Sequence, residues 1–224
     1  VSVNQTLGMS VGTYTGTGSL ATIGHGLSVA PEFIAVKRLN GAWQWTVYHV
    51  SVGATGHLVL NTTGVTQTTA TAWDDTAPTS SVFTIKTDGG VNAVDDFMFI
   101  AFAPSEYISI SSYSANNVAN GAFYPAINSL GIPLQPIFHL AKGIATTGHW
   151  YMFDAARSPD NVVNKYFYTD LANAEFSIDK LDFVTGGVKM RSGGGDPNYA
   201  YNPYITLTIG IPTIDVDGRI LAGR

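Results

Sequence analysis

Apolar and polar residues alternate along this chain in short runs, cut by Gly, Pro, Asn and Ser. Val82-Phe-Thr-Ile-Lys86 alternates residue by residue, the pattern of a strand with one buried face. Phe97-Met-Phe-Ile-Ala-Phe102 is apolar on both faces and suits a central strand. The run from Phe33 to Arg38 is followed at once by the run from Trp45 to Val50, and the Asn40-Gly41 between them predicts a hairpin. The second half repeats the style with runs at 137–142, 150–153, 166–168, 188–191 and 204–211. Turn signals stand at Gly186-Gly187 and at Gly193-Gly-Gly-Asp-Pro197. One helical turn is expected, over Leu171–Phe176. This spacing of strands and turns predicts an all-β fold with little helix, built as sandwich- or jelly-roll-like units.

The two halves are related. Gly26, Pro31, Phe33, Lys37, Trp45 and Tyr48 recur as Gly131, Pro136, Phe138, Lys142, Trp150 and Phe153, at a constant offset of 105 residues and without a gap. The proline opens a strand where no ladder donor is needed, and Phe and Lys, four apart, share one face. Trp45 and Tyr48 fall on opposite faces, as do Trp150 and Phe153; the two tryptophans are expected in the core. Weaker echoes flank this segment: Tyr14 and Tyr113 precede Gly- or Ser-rich stretches, and apolar closing strands end at Pro104 and Pro212. The expected organisation is an N-terminal arm (1–10), a first β-sandwich repeat (11–105), a second (106–213) and a C-terminal arm (214–224). One large pseudo-symmetric sandwich is the alternative.

Composition narrows the partners. Of 224 residues only 12% are charged, about half the usual share, and the net charge is −5. The basic spots, Lys37-Arg38 and Lys189/Arg191, are too small to follow a phosphate backbone, so nucleic acid is not expected as a partner. No stretch reaches the length of an apolar membrane span. The start at Val1 rather than Met predicts a processed or incompletely represented N-terminus. With no cysteine, disulfides and thiolate metal sites are excluded, and stability is expected from core burial, oligomerisation or docking.

Three stretches of the second half carry a resemblance: Trp150-Tyr-Met-Phe-Asp-Ala-Ala-Arg-Ser-Pro-Asp-Asn161, Leu181-Asp-Phe-Val-Thr-Gly-Gly-Val-Lys-Met-Arg191, and the closing strand Tyr204–Ile209. They resemble a β-rich, lectin-like repeat domain of tailed-bacteriophage virion proteins, with its W-x-x-x-D-x-x-R-x-P-x-N stretch and its D-F-x-x-x-G-[FV]-K-[LM]-R stretch. In the first half, Pro31–Lys37 resembles the same family's opening strand, and Phe99–Pro104 its closing tail. The copies differ: His49 and Val52 stand where the second half has Asp154 and Arg157. The resemblance implies a capsid decoration, fibre or tail protein on the particle surface. Its expected partners are major capsid or tail proteins and further copies of itself, and no enzymatic activity is expected. A carbohydrate-binding module that recognises host glycans is the alternative.

The candidate contact residues follow. Trp43 and Trp73 are expected to be exposed, either as a sugar platform or in an interface between subunits. Arg157 either binds a ligand or pairs with Asp154 to fix the loop that ends in Ser158-Pro-Asp-Asn161. Adjacent carboxylates, Asp74-Asp75 and Asp95-Asp96, point to opposite sides of a strand and make no local acid–base pair. His25, His49, His57, His139 and His149 lack metal-ligand spacing and are expected as packed or surface imidazoles. No cofactor is expected. Asp215-Val-Asp-Gly-Arg219 resembles only the start of a calcium loop, so calcium stays an open possibility.

Overall fold

In the computed structural model, which describes residues 1–193, 195, 197–199 and 201–214, the chain divides into two compact units, Val1–Pro104 and Ser105–Arg224. The first contains β1 (Ser2–Asn4), β2 (Met9–Thr15), β3 (Ala21–Gly24), β4 (Phe33–Arg38), β5 (Trp45–His49), β6 (Gly56–Val59), β7 (Gln67–Thr68), β8 (Val82–Ile85), a single turn of helix α1 (Gly89–Asn92) and β9 (Asp96–Phe102). The second contains β10 (Ile108–Ser114), β11 (Phe123–Pro125), β12 (Leu134–Gly143), β13 (Trp150–Asp154), β14 (Val163–Tyr168), β15 (Phe176–Val184), β16 (Gly187–Met190) and β17 (Pro203–Pro212). The all-β expectation is borne out.

The first unit is built on a seven-stranded antiparallel sheet in the order β1-β2-β9-β4-β5-β6-β7, with β3 and β8 paired as a separate ribbon. Strand pleating sends Ile34, Val36, Tyr48, Phe97, Phe99 and Ala101 to one side. There they pack with Phe83 and Ile85 of the ribbon and with Trp73 and Val91. Edge-to-face contacts, such as Phe83–Phe99 at 5.3 Å, lock the rings together.

The second unit is a single eight-stranded antiparallel sheet in the order β10-β17-β12-β13-β14-β15-β16-β11. Strands β10 and β11 are neighbours in the chain but lie at opposite ends of this order. Their side chains nevertheless meet, Tyr113 stacking on Tyr124 with ring centroids 3.8 Å apart. The sheet therefore curls until its edges approach, giving a nearly closed barrel with a seam between β10 and β11. Tyr151, Phe153, Tyr166, Leu181, Phe183 and Val188 fill one side of its interior.

The repeat is visible in the register. Phe33 faces His49 and Lys37 faces Trp45; Phe138 faces Asp154 and Lys142 faces Trp150. Each lysine closes its own hairpin: Lys37 Nζ donates to the Trp43 carbonyl at 2.7 Å, and Lys142 Nζ to the Gly148 carbonyl at 2.8 Å. Gly26 and Gly131 both take positive φ, +75° and +78°, a conformation that favours glycine. The order β2-β9-β4-β5-β6 recurs as β10-β17-β12-β13-β14.

Three expectations need correction, and a fourth falls outside the described residues. Residues 2–4 are no free arm, because they pair with residues 9–11 as the outer strand of the first sheet. Of the expected C-terminal arm, residues 215–224 lie outside the described residues. Leu171–Phe176 forms no helix: Phe176 pairs with Tyr166 and stacks on it at 5.3 Å, so the ladder claims it. The helical turn lies instead at α1, where the Asp88 side chain accepts from Gly90 N at 2.8 Å as its N-cap. Finally, Trp45 is only partly buried, whereas Trp150 is in the core as expected, as are Tyr48 and Phe153.

Candidate functional site

Trp73, expected at the surface, is 2% exposed. It packs edge-on against Tyr48 and Phe83 in the core of the first unit, because the segment between β7 and β8 folds across the open face of the sheet. It cannot serve as a sugar platform. Trp43 is 47% exposed, at the tip of the β4–β5 hairpin. Its indole lies beside Gly89 and Gly90, where a Cβ at Gly90 would come within 2.9 Å of the indole nitrogen, and the Arg38 guanidinium sits 5.5 Å from its ring centre.

Arg157 is tied down on every side. Its backbone N–H and Nε donate to Asp154 at 2.8 and 2.6 Å, Nη1 donates to Glu175 at 3.3 Å, and Nη2 donates to the Met152 carbonyl at 3.2 Å. The guanidinium also lies over the Phe167 ring, 4.3 Å from its centre. Lys165 joins through Glu175 at 2.8 Å, and this lysine with Arg157 holds the Glu175 carboxyl below its usual range. Asn161 completes the loop: its amide donates to the Phe183 carbonyl at 2.8 Å and accepts from the Phe183 N–H at 3.0 Å. Asp154, Arg157 and Asn161 thus fix the β13–β14 connection onto β15. This is the structural role weighed for Arg157.

The five histidines do not converge. Among the described residues, no group of three or more His, Asp or Glu side chains is placed to hold a metal ion. The Asp215–Arg219 stretch lies outside those residues. His149 pairs with Asp170 at 2.6 Å and stacks on Tyr168.

A different constellation was not foreseen. The seam of the second unit opens into a cavity of about 210 Å³, lined by both Ser/Thr hydroxyls and aromatic rings. Ladder register explains the lining. Ser109 faces Thr208, which faces His139; Ser111 faces Thr206, which faces Ala141. These side chains therefore share one face of β10, β17 and β12, and that face is the interior. Ser111 and Thr206 hydroxyls bond at 2.9 Å, and His139 Nδ1 bonds the Thr208 hydroxyl at 2.9 Å. His139 is 2% exposed, its Nε2 is buried without a partner, and burial pushes its pKa down to about 4. The imidazole is therefore neutral at neutral pH, able to donate from one nitrogen and accept at the other.

The sequence held one signal for this site. At the repeat offset His139 corresponds to Ile34, a core residue of the first unit. A polar residue at a core position of one copy marks a place where the copies diverge. The alternation Ile108-Ser-Ile-Ser111 and Ile205-Thr-Leu-Thr208 reads equally well with its polar face in solvent, so it gave no separate warning.

Fold and sites together define an all-β protein of two units on a duplicated hairpin scaffold, with a polar cavity at the seam of the second unit. The chain belongs to the family described as Domain of unknown function (DUF7483), whose match spans residues 1–210. No curated protein and no solved structure matches it.

Proposed function

We propose that this chain is a non-enzymatic structural component of a bacteriophage virion, docking on capsid or tail proteins at the particle surface through its β edges and joining further copies of itself. The motif resemblance of residues 150–161 and 181–191 points to that class, and Asp154, Arg157 and Asn161 of the first motif have a scaffold role in this chain. The observation that carries the reading is the outer edge of the first unit. Val1 and Val3 stand 70% and 42% exposed in and beside β1, Leu7 is 40% exposed in the β1–β2 turn, and the outer side of β1 pairs with no described strand. An apolar, unprotected sheet edge is a liability for a protein that stays free, and is suited to one that is covered by a neighbour.

The test is the composition of purified particles. Quantitative mass spectrometry and imaging of labelled copies are expected to find the chain on the particle at a fixed stoichiometry. Val3→Lys/Leu7→Lys, which places charge on β1 and on the turn that follows it, is expected to lower incorporation while leaving the unfolding midpoint nearly unchanged. Recovery of the chain only as a free monomer would overturn the reading.

A further inference from the structure

We propose that the seam cavity of the second unit is a binding site for one small, uncharged, hydroxyl-rich molecule of the monosaccharide class. Virion docking neither requires nor implies this site.

The cavity exists because the two copies of the scaffold diverge at one place. In the first unit Ile34 faces Ala101 and Val36 faces Phe99, and all four lie in the packed core. The matching rungs of the second unit are His139 with Thr208 and Ala141 with Thr206. On one rung phenylalanine becomes threonine and valine becomes alanine; on the next, isoleucine becomes histidine and alanine becomes threonine. Removing large apolar groups from a core without refilling it, as on the first of these rungs, is costly. Placing hydroxyls and an imidazole there adds a desolvation cost unless each finds partners. The second unit carries both changes on the same rungs, and they open onto solvent through the seam between β10 and β11.

The chemistry of the lining selects the ligand. Ser109, Ser111, Thr206 and Thr208 offer groups that both donate and accept, and neutral His139 adds a buried Nε2 that has no protein partner. Hydroxyl groups of a ligand match this two-way capacity. Among the described residues no Asp, Glu, Lys or Arg lines the cavity, so an ion entering it would lose hydration with no opposite charge from them to replace it. The remaining walls are apolar, chiefly the rings of Tyr113 and Tyr124 with Val188. A sugar ring presents that combination, C–H faces with hydroxyls at the rim, and about 210 Å³ suits a single ring rather than a chain of them.

The experiment is a titration of the isotope-labelled full chain, followed by amide chemical shifts. Neutral hexoses, a deoxyhexose and an N-acetylhexosamine form one arm; a hexuronate and a hexose phosphate form the other. At least one neutral sugar is expected to give saturable shifts at Ser109, Ser111, His139, Thr206 and Thr208, with the charged sugars binding more weakly. Thr206→Phe restores the first unit's filling residue and is expected to abolish the shifts. Thr208→Val keeps the volume, removes one hydroxyl, and is expected to weaken binding about three- to tenfold. Preserved folding in each variant is checked by the dispersion of its own spectrum, and Thr208→Val serves if Thr206→Phe does not fold. Absence of saturable shifts from every neutral sugar would mean a water-filled seam and overturn the proposal. So would shifts confined to Trp43, or binding by Thr208→Val equal to that of the parent.

Discussion

Tyr124 closes the barrel of the second unit from its far edge: its ring stacks on Tyr113, and its hydroxyl donates to the Ser114 carbonyl at 3.1 Å. Tyr113 in turn stacks on Tyr204 with centroids 5.1 Å apart, and its hydroxyl donates to the Pro197 carbonyl at 2.7 Å. A column of three tyrosines thus substitutes for the ladder that β10 and β11 do not form.

Tyr124→Ala is therefore expected to loosen the seam. The loss of stacking and of partly buried ring area should lower stability by about 2 kcal/mol in denaturant unfolding. Tyr124→Phe keeps the stack and loses only the hydroxyl's hydrogen bonds to the Ser114 carbonyl and Asn198 Oδ1, and should cost about 1 kcal/mol. Equal effects of the two variants would show that the stack contributes nothing.

The two candidate tryptophans are expected to behave oppositely. Trp73→Ala removes a buried ring packed on Tyr48 and Phe83 and should destabilise by about 3–5 kcal/mol. Trp43→Ala, at an exposed hairpin tip, should cost far less. Equilibrium unfolding of both variants checks this, as does acrylamide quenching, which should reach Trp43 and leave Trp73 protected.

Asn161→Ala deletes both hydrogen bonds that hold the β13–β14 loop on the Phe183 backbone, at an expected cost of about 2 kcal/mol. Arg157→Lys keeps the charge but cannot fork between Asp154, Glu175 and the Met152 carbonyl, and should also lower the unfolding midpoint. Hydrogen exchange in both variants should speed up at residues 155–162 before it does elsewhere.

Burial lowers the pKa of His139 to about 4, and His25 and His57 are lowered in the same direction by desolvation. A base whose folded pKa lies below its unfolded value leaves the unfolded chain binding more protons between the two. The stability that rests on His139 is thus full above about pH 6.5, falls as the pH drops toward 4, and levels off below. The contribution of His139 across that window is roughly 3 kcal/mol. His139→Leu is expected to flatten the acid limb of a stability–pH curve measured by denaturant titration, leaving the shallower slope of the other histidines.

Sequence alone determined the strand character of the chain and the duplication. Both follow from local rules. A period of two marks a half-buried strand, and a repeated hairpin keeps its spacing because its register is set by its own turn, as Lys37 and Lys142 show by closing their loops six residues on. Only the tertiary structure decided which face of a strand is the inside. Ser109, Ser111, Thr206 and Thr208 alternate with Ile and Leu, and that pattern names two faces without saying which one meets water. The curl of the eight-stranded sheet turned the polar face inward at the seam, just as the fold of the β7–β8 segment buried Trp73. Both outcomes depend on contacts between residues far apart in the chain, which no local alternation encodes.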